Sequence, residues 1–151
     1  MQIATNAYAV VAYRLGLDTE LGDNADEKDS GKQWEQRIAD AVHALTGWFV
    51  VGEQTWLTHP TKPTHRATVD AFLARVPNTT TVADVVALLE IKTVGQFAEH
   101  HWDRWTVQVQ WQMHVAGVDR ALIVAVTVLD DGTFGGMRVR WVDADRAMQH
   151  D

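Results

Sequence analysis

The stretch LLEIKT, residues 88–93, places two charged side chains inside an apolar segment with strong strand-forming residues. Side chains two apart on a strand point to the same face of the sheet, so Glu90 and Lys92 share one face. A charge buried without a partner is costly. The segment is therefore either an exposed edge strand whose ion pair contributes little, or one face of a catalytic site.

The remaining pattern predicts one mixed α/β sheet with helices packed against it. Apolar residues at helical spacing predict helices over residues 1–17, 32–47 and 101–117, with a short terminal helix over 143–150. Aromatic and β-branched runs predict strands over residues 48–57, 66–76, 85–93, 121–129 and 134–142. PNTTTVAD and Asp130-Asp131-Gly132 predict hairpin connections. From residue 32 the predicted order is α-β-β-β-α-β-β.

The composition fits one soluble domain without disulfides. The chain has 151 residues, is 46% apolar and contains no cysteine. No apolar run is long enough to span a bilayer, and no secretory signal is visible, so we expect no membrane association and a cytoplasmic location. We expect residues 1–30 to hold a helix and an acidic loop, and residues 31–151 to form the domain.

The net charge of −7 does not exclude a nucleic-acid partner, because much of it is local. The segment DTELGDNADEKD, residues 18–29, contains six acids and one lysine, a balance of −5 that leaves −2 for the rest of the chain. With few apolar residues, this segment predicts a solvated loop. DNA therefore stays open as a partner, although no basic stripe indicates it.

Asp70 is a second acid inside an apolar strand, in RATVDAFLARV. If the hairpin is symmetric about Thr80, Asp70 lies opposite Glu90. Paired residues of antiparallel strands have Cβ atoms roughly 4.5–5.5 Å apart, so two carboxylates there repel unless a cation lies between them. Mg²⁺ takes carboxylate oxygens, and Lys92 could then orient an anionic reactant. The alternative is a surface hairpin whose charged residues share no function.

Four stretches, in order along the chain, resemble the PD-(D/E)xK nuclease superfamily, and within it the lambda-exonuclease or YqaJ-type viral recombination nucleases. They are GKQWEQRIA, HPTKPTHRATVDAF, LLEIKT and WTVQVQWQMHVAG. The resemblance implies a restriction-endonuclease-like fold and a Mg²⁺-dependent deoxyribonuclease, with Mn²⁺ as a substitute. The sequence departs from the family at Trp105, where Tyr is usual, and at Ala71, where Gly is usual.

The resemblance also implies a metal site in this chain. Asp70 and Glu90 would bind the metal together with the main-chain carbonyl of Ile91. Glu35, on the first helix, would add a carboxylate near a second metal or its waters.

Two further residues take roles from the same resemblance. Lys92 would orient or help to deprotonate the attacking water, and Gln108 would project from the second long helix into the site. Gln108 and Gln112 lie four residues apart on one helical face, whereas Gln110 points elsewhere.

The resemblance implies DNA as the partner, as a duplex end or a single strand. An exonuclease of the phage recombination type is favoured, and a nicking or structure-specific endonuclease and a catalytically silent DNA-binding domain are the alternatives. A homo-oligomer that encircles DNA and a single-strand annealing protein as partner are further expectations.

The aromatic and basic residues outside these motifs have simpler interpretations. Four of the seven tryptophans are expected to pack the core: Trp34, Trp48, Trp56 and Trp141. Stacking of a tryptophan on an unpaired base is the alternative. Lys62 and Arg66, in the loop before Asp70, are candidates for contacts with DNA phosphates.

Overall fold

A six-stranded mixed sheet, with a two-stranded sheet beside it, forms the framework of the protein. The structure, a computed structural model, describes residues 8–11, 27–79 and 81–149. The strands of this part are β1 (Tyr8–Val11), β2 (Phe49–Val51), β3 (Thr55–Thr58), β4 (Arg66–Val69), β5 (Ala71–Ala74), β6 (Val85–Val94), β7 (Arg120–Val128) and β8 (Phe134–Asp143). The helices are α1 (Glu27–Thr46), α2 (His101–Ala116) and α3 (Arg146–Gln149), and a 3-10 turn covers Val82–Asp84.

The large sheet has the strand order β1-β8-β7-β6-β5-β2, and β3 pairs only with β4. Strands β6 and β7 are parallel, and the other neighbouring pairs are antiparallel. A parallel pair needs a crossover connection, and α2 supplies it. This helix ends where predicted, because Gly117 adopts the left-handed conformation at φ 71° and its N–H caps the Met113 carbonyl.

The sheet is covered by apolar side chains on both faces. On one face, α1 places Ile38 and Val42 in the same core as Leu89. On the other face, α2 contributes residues such as Met113 to the core that contains Leu88. Because successive side chains of a strand alternate between faces, Glu90 follows Leu88 onto the face covered by α2.

The mixed α/β fold is confirmed, but the prediction of a helix over residues 1–17 is wrong for the part that the structure describes. Residues Tyr8–Val11 form β1, which pairs antiparallel with β8 so that Tyr8 lies opposite Arg140. Valine and tyrosine favour strands, and β1 is stabilised by pairing with β8, whereas a short isolated helix is only marginally stable in water. The other residues of the predicted helix lie outside the described ranges.

The first long helix begins earlier than predicted. Helix α1 starts at Glu27 and takes up the last residues of the acidic segment, for which the sequence predicts a loop. Acidic side chains are favourable in the first turn of a helix, where they meet the positive end of its dipole. The remaining residues of that segment, 18–26, lie outside the described ranges, and the division of the chain at residue 30 stays a prediction.

Two of the predicted strands are each divided into two. The segment 48–57 contains β2 and β3, which belong to different sheets. The chain turns between them through Gly52 at φ 64° and Gln54 at φ 54°, and left-handed residues of this kind end a strand. The segment 66–76 is divided at Asp70 into β4 and β5. Both breaks carry the chain from one sheet to the other.

Candidate active site

Asp70 lies at the break between β4 and β5, and its carboxylate takes the place of a strand partner. The register of β5 on β6 is the predicted one, with Ala71 opposite Leu89. Two residues further along β6, beyond the start of β5, the N–H of Ile91 donates to Oδ2 of Asp70 at 2.7 Å. The main-chain carbonyl of Asp70 accepts a hydrogen bond of 2.8 Å from the N–H of Gln54. Asp70 is thereby fixed beside the backbone of Ile91.

Glu90 is 5% exposed and is held by amide groups of α2. Its Oε1 accepts a hydrogen bond from Nε2 of Gln108, and its Oε2 accepts one from Nε2 of Gln112, both at 2.9 Å. Nζ of Lys92 lies 3.4 Å from Oε1 of Glu90 and donates to Oε1 of Gln108 at 2.6 Å. The structure thus brings Glu90, Lys92 and Gln108 into one polar cluster between β6 and α2.

The carboxyl group of Glu90 has an unusual electrostatic environment. Burial raises its pKa, and the charge of Asp70 raises it further, whereas the hydrogen bond from Gln112 and the charge of Lys92 lower it. The net direction is upward. A nearby like charge of this kind disfavours the ionised carboxyl group, and a cation beside the site would offset that repulsion.

Gln112 is a site residue that the sequence interpretation did not identify. It is 3% exposed, and its Nε2 donates both to Oε2 of Glu90 and to the main-chain carbonyl of Thr68 at 2.9 Å. The spacing of four residues from Gln108 was the available signal. Gln110 points away from the site, as predicted, because its Nε2 donates to the carbonyl of Asp143.

Glu35 and Asp70 line the same cleft on the side of the sheet that α1 covers. This cleft has a volume of about 290 Å³, and its lining includes the acids Glu35, Glu53 and Asp70, the polar residues Gln54 and Thr93, and apolar residues such as Ile91. Glu53 was not identified from the sequence. Glu90, Lys92 and Gln108 do not line this cleft. Glu35 therefore lies on the α1 side of the sheet with Asp70, whereas Gln108 lies on the α2 side and contacts Glu90.

Asp70 and Glu90 supply carboxylate oxygens, the ligand type that a magnesium ion takes. Within residues 8–11, 27–79 and 81–149, no group of three acidic, histidine or cysteine side chains could hold a metal ion. Mg²⁺ usually keeps several waters and takes only one or two carboxylates. The two carboxylates of Asp70 and Glu90 correspond to that number of protein ligands.

The hairpin formed by β3 and β4 is attached to α2 beside this cluster. Nε1 of Trp111 donates to the main-chain carbonyl of Arg66 at 2.9 Å. Nδ1 of His65 lies 3.0 Å from Nε2 of His114, within hydrogen-bond distance. Lys62 and Arg66 are both exposed, as contacts with phosphate would require.

An acid at a strand break, followed on the next strand by Glu-x-Lys, on a mixed sheet enclosed by two helices, defines the PD-(D/E)xK class of nuclease folds. A comparison of the sequence with protein families agrees with this class: residues 8–119 match the YqaJ-like viral recombinase domain. The chain belongs to this family.

Solved structures with a similar fold include two exonucleases. An alkaline exonuclease from Laribacter hongkongensis is 20% identical, with a TM-score of 0.55, and the match covers 83% of this chain and 61% of that one. A phage-related exonuclease from Haemophilus somnus 129PT is 10% identical, with a TM-score of 0.55, over 83% of this chain and 65% of that one. The chain therefore spans less than two thirds of the length of these exonucleases.

No curated protein matches the sequence at a significant level. None of the described helices has the length and apolar character needed to cross a membrane.

Proposed function

We propose that this protein is a metal-dependent deoxyribonuclease, and specifically an exonuclease of the phage recombination type. The observation that carries the proposal is the arrangement of Glu90 and Lys92 in one polar cluster on β6, with the Asp70 carboxylate bound to the N–H of Ile91 between them in sequence. Keeping two like charges together destabilises a fold, so the pair of carboxylates indicates a site for a cation. Membership of the YqaJ-like family supports the same reaction class.

Asp70 and Glu90 would hold Mg²⁺, or Mn²⁺ in its place, with the main-chain carbonyl of Ile91 as a third ligand. The N–H of Ile91 points toward Asp70, and within a strand the C=O of a residue points to the same side as its N–H. When bound, the metal would supply positive charge at a phosphate oxygen and a more acidic water. Glu35 would add a carboxylate from the side of α1, toward a second metal or through water.

Lys92 would act on the reactants rather than on the metal. Its ammonium group is oriented by the carbonyl oxygen of Gln108 and by Glu90. An ammonium group in this position can donate to the scissile phosphate or orient the attacking water. Gln108 would then act as a positioning residue, since its amide group contacts both charged side chains.

The substrate would be DNA, entering as a duplex end or as a single strand. The solved relatives are exonucleases by name, and the exonucleolytic mode is proposed on that similarity. A homo-oligomer that surrounds DNA, and a single-strand annealing protein as partner, belong to the same proposal. An acidic protein gains little affinity by counterion release, and subunits arranged around DNA would offset that weakness.

Two substitutions test the proposed chemistry. Lys92→Ala is expected to lower Mg²⁺-dependent release of nucleotides from linear duplex DNA by about 10²–10³-fold, the typical effect of losing one group that stabilises a transition state. Calorimetric titration should show Mn²⁺ binding retained in this variant. Asp70→Asn is expected to lose both activity and Mn²⁺ affinity, because it removes a ligand.

Controls separate the alternatives. Gln96→Ala, at an exposed loop position, should behave as wild type in both assays. Digestion of covalently closed circular DNA as fast as linear DNA would indicate an endonuclease. Wild-type rates in Lys92→Ala would contradict the catalytic role of the cluster, and absence of any divalent-dependent hydrolysis would identify a silent binding domain.

A further inference from the structure

Trp56 is 81% exposed, so the prediction that it packs the core is wrong. It lies on β3 opposite Thr68 of β4. The exposed residues of this hairpin are Trp56 and Thr58 on β3 and Arg66 and Thr68 on β4. Thr58 is opposite Arg66 in the register, so all four share one face. These four residues are called the outer face of the hairpin.

The segment that carries the outer face has a charge opposite to that of the whole protein. Residues 55–69 contain Lys62 and Arg66 and no Asp or Glu, in a chain of net charge −7. Both basic side chains are exposed. The same segment contains five threonines, whose hydroxyl groups can donate to phosphate oxygens. The local chemistry therefore suits an anionic partner with flat rings.

The opposite side of the hairpin is fixed to the protein, which makes the outer face a defined surface. Val69 belongs to the core on the side of α2, and Leu57 packs against it. Hydrogen bonds from Trp111 to the Arg66 carbonyl and from Gln112 to the Thr68 carbonyl attach β4 to α2. A surface held in this way loses little conformational entropy on binding.

The outer face continues directly into the candidate active site. Thr68, which faces Trp56, precedes Asp70 by two residues, a distance of about 7 Å along an extended chain. The N–H of Gln54, two residues before Trp56, donates to the Asp70 carbonyl. A strand of DNA that contacts Trp56 would therefore pass close to Asp70.

We propose that the outer face of the hairpin binds single-stranded DNA, with a base stacked on the indole of Trp56 and phosphates contacted by Arg66 and Lys62. The inference deepens the proposed function and rests on it, since the strand bound here would be the one that enters the active site. A protein partner is less suited to this face, because Trp56 is its one large apolar side chain and the neighbours are threonine and arginine.

Binding can be measured without hydrolysis. The probe is a fluorescein-labelled dT12 oligonucleotide, followed by anisotropy in EDTA with the intact protein. Trp56→Ala is expected to weaken binding about 5- to 150-fold, the effect of removing the stacking of one base. Trp56→Phe should recover much of this affinity, because a phenyl ring still stacks. Lys62→Ala should lower the salt dependence of log Kd by about 0.7, because the variant neutralises one phosphate fewer.

Val82→Ala is the matched control. Val82 is 80% exposed and lies in the 3-10 turn between β5 and β6, so its truncation removes an exposed apolar group of a different region. Its affinity for dT12 should stay within twofold of wild type. Circular dichroism and light scattering on every variant report the fold and the subunit mass.

The outcomes separate this inference from the proposed function. If Trp56→Ala binds dT12 as wild type does, the inference is overturned even where Asp70-dependent hydrolysis is present. If Trp56→Ala instead changes only the subunit mass, the outer face contacts protein and the inference is again overturned. If binding depends on Trp56 but no divalent ion supports hydrolysis, the surface is supported and the nuclease proposal fails.

Discussion

Replacing Gln112 by methionine tests whether this buried amide supports the active site or only the fold. Gln112→Met keeps a side chain of similar length and removes the amide. The change leaves the carbonyl of Thr68 and Oε2 of Glu90 without the donor that each has in the structure. Each unsatisfied buried acceptor costs about 1–3 kcal/mol.

Loss of the Gln112 carbonyl oxygen partly offsets this loss of stability. Oε1 of Gln112 is buried without a hydrogen-bond partner, so removing it recovers about 1 kcal/mol or more. With a middle value of about 2 kcal/mol for each of the two acceptors, the expected net decrease in free energy of unfolding is about 3 kcal/mol. For a chain of this size that corresponds to a fall in melting temperature of about 6–12 °C.

Gln110 offers a matched control on the same helix. It is 4% exposed, its Nε2 donates to the carbonyl of Asp143, and its Oε1 accepts from the N–H of Asp145. Gln110→Met should lose a similar amount of stability by urea denaturation, but it lies outside the polar cluster around Glu90.

Activity distinguishes the two variants. Gln112→Met should lower nuclease activity about 10- to 100-fold, as loss of a partner that orients a metal ligand does. Because the hydrogen bond from Gln112 lowers the pKa of Glu90, the acid limb of kcat/KM should also move to higher pH. Equal activity and equal pH profiles in Gln112→Met and Gln110→Met would refute this reasoning.

Two further predictions concern stability in the absence of metal. The raised pKa of Glu90 means that the native state binds its proton more tightly than the unfolded state. In EDTA the stability from this group should be fully present below about pH 4.5, the usual glutamate value, and should be lost as the pH rises through the raised pKa. Urea midpoints should show this slope in wild type and not in Glu90→Gln; identical slopes would contradict it. Gly52→Ala should cost about 1–2 kcal/mol, because Gly52 has φ +64° and an added Cβ would lie 3.1 Å from Cδ2 of Phe72; an unchanged melting temperature would show that the turn relaxes.

The elements that the sequence predicted well are those with long, regular patterns. Helix α2 has apolar residues on neighbouring turns and a terminal glycine, and it begins and ends close to the predicted residues. The β7–β8 hairpin is long and has a strong turn signal. The register of β5 on β6 followed from the symmetry of one connection, and Ala71 does lie opposite Leu89.

The features that the sequence did not predict depend on tertiary partners. The alternation of residues along β3 separates its two faces, but it does not show which face is covered. It therefore could not show that α2 covers the side opposite Trp56. Strand β1 is four residues long and depends on the open edge of β8. The role of Gln112 depends on Glu90 and Thr68, which are distant in sequence and meet only in the folded protein.

The break at Asp70 explains why the site can exist on this sheet. In an unbroken strand, the backbone of residue 69 would pair with Ile91 and would occupy both its N–H and its carbonyl. Because β4 leaves for the small sheet, the β5–β6 ladder ends at Leu89, and the N–H of Ile91 binds the Asp70 carboxylate instead. The Ile91 carbonyl on the same side of β6 is the proposed third metal ligand. The same departure places the hairpin with Trp56 next to the site. One interruption of the sheet therefore supplies both the proposed metal ligands and the proposed path of the DNA strand.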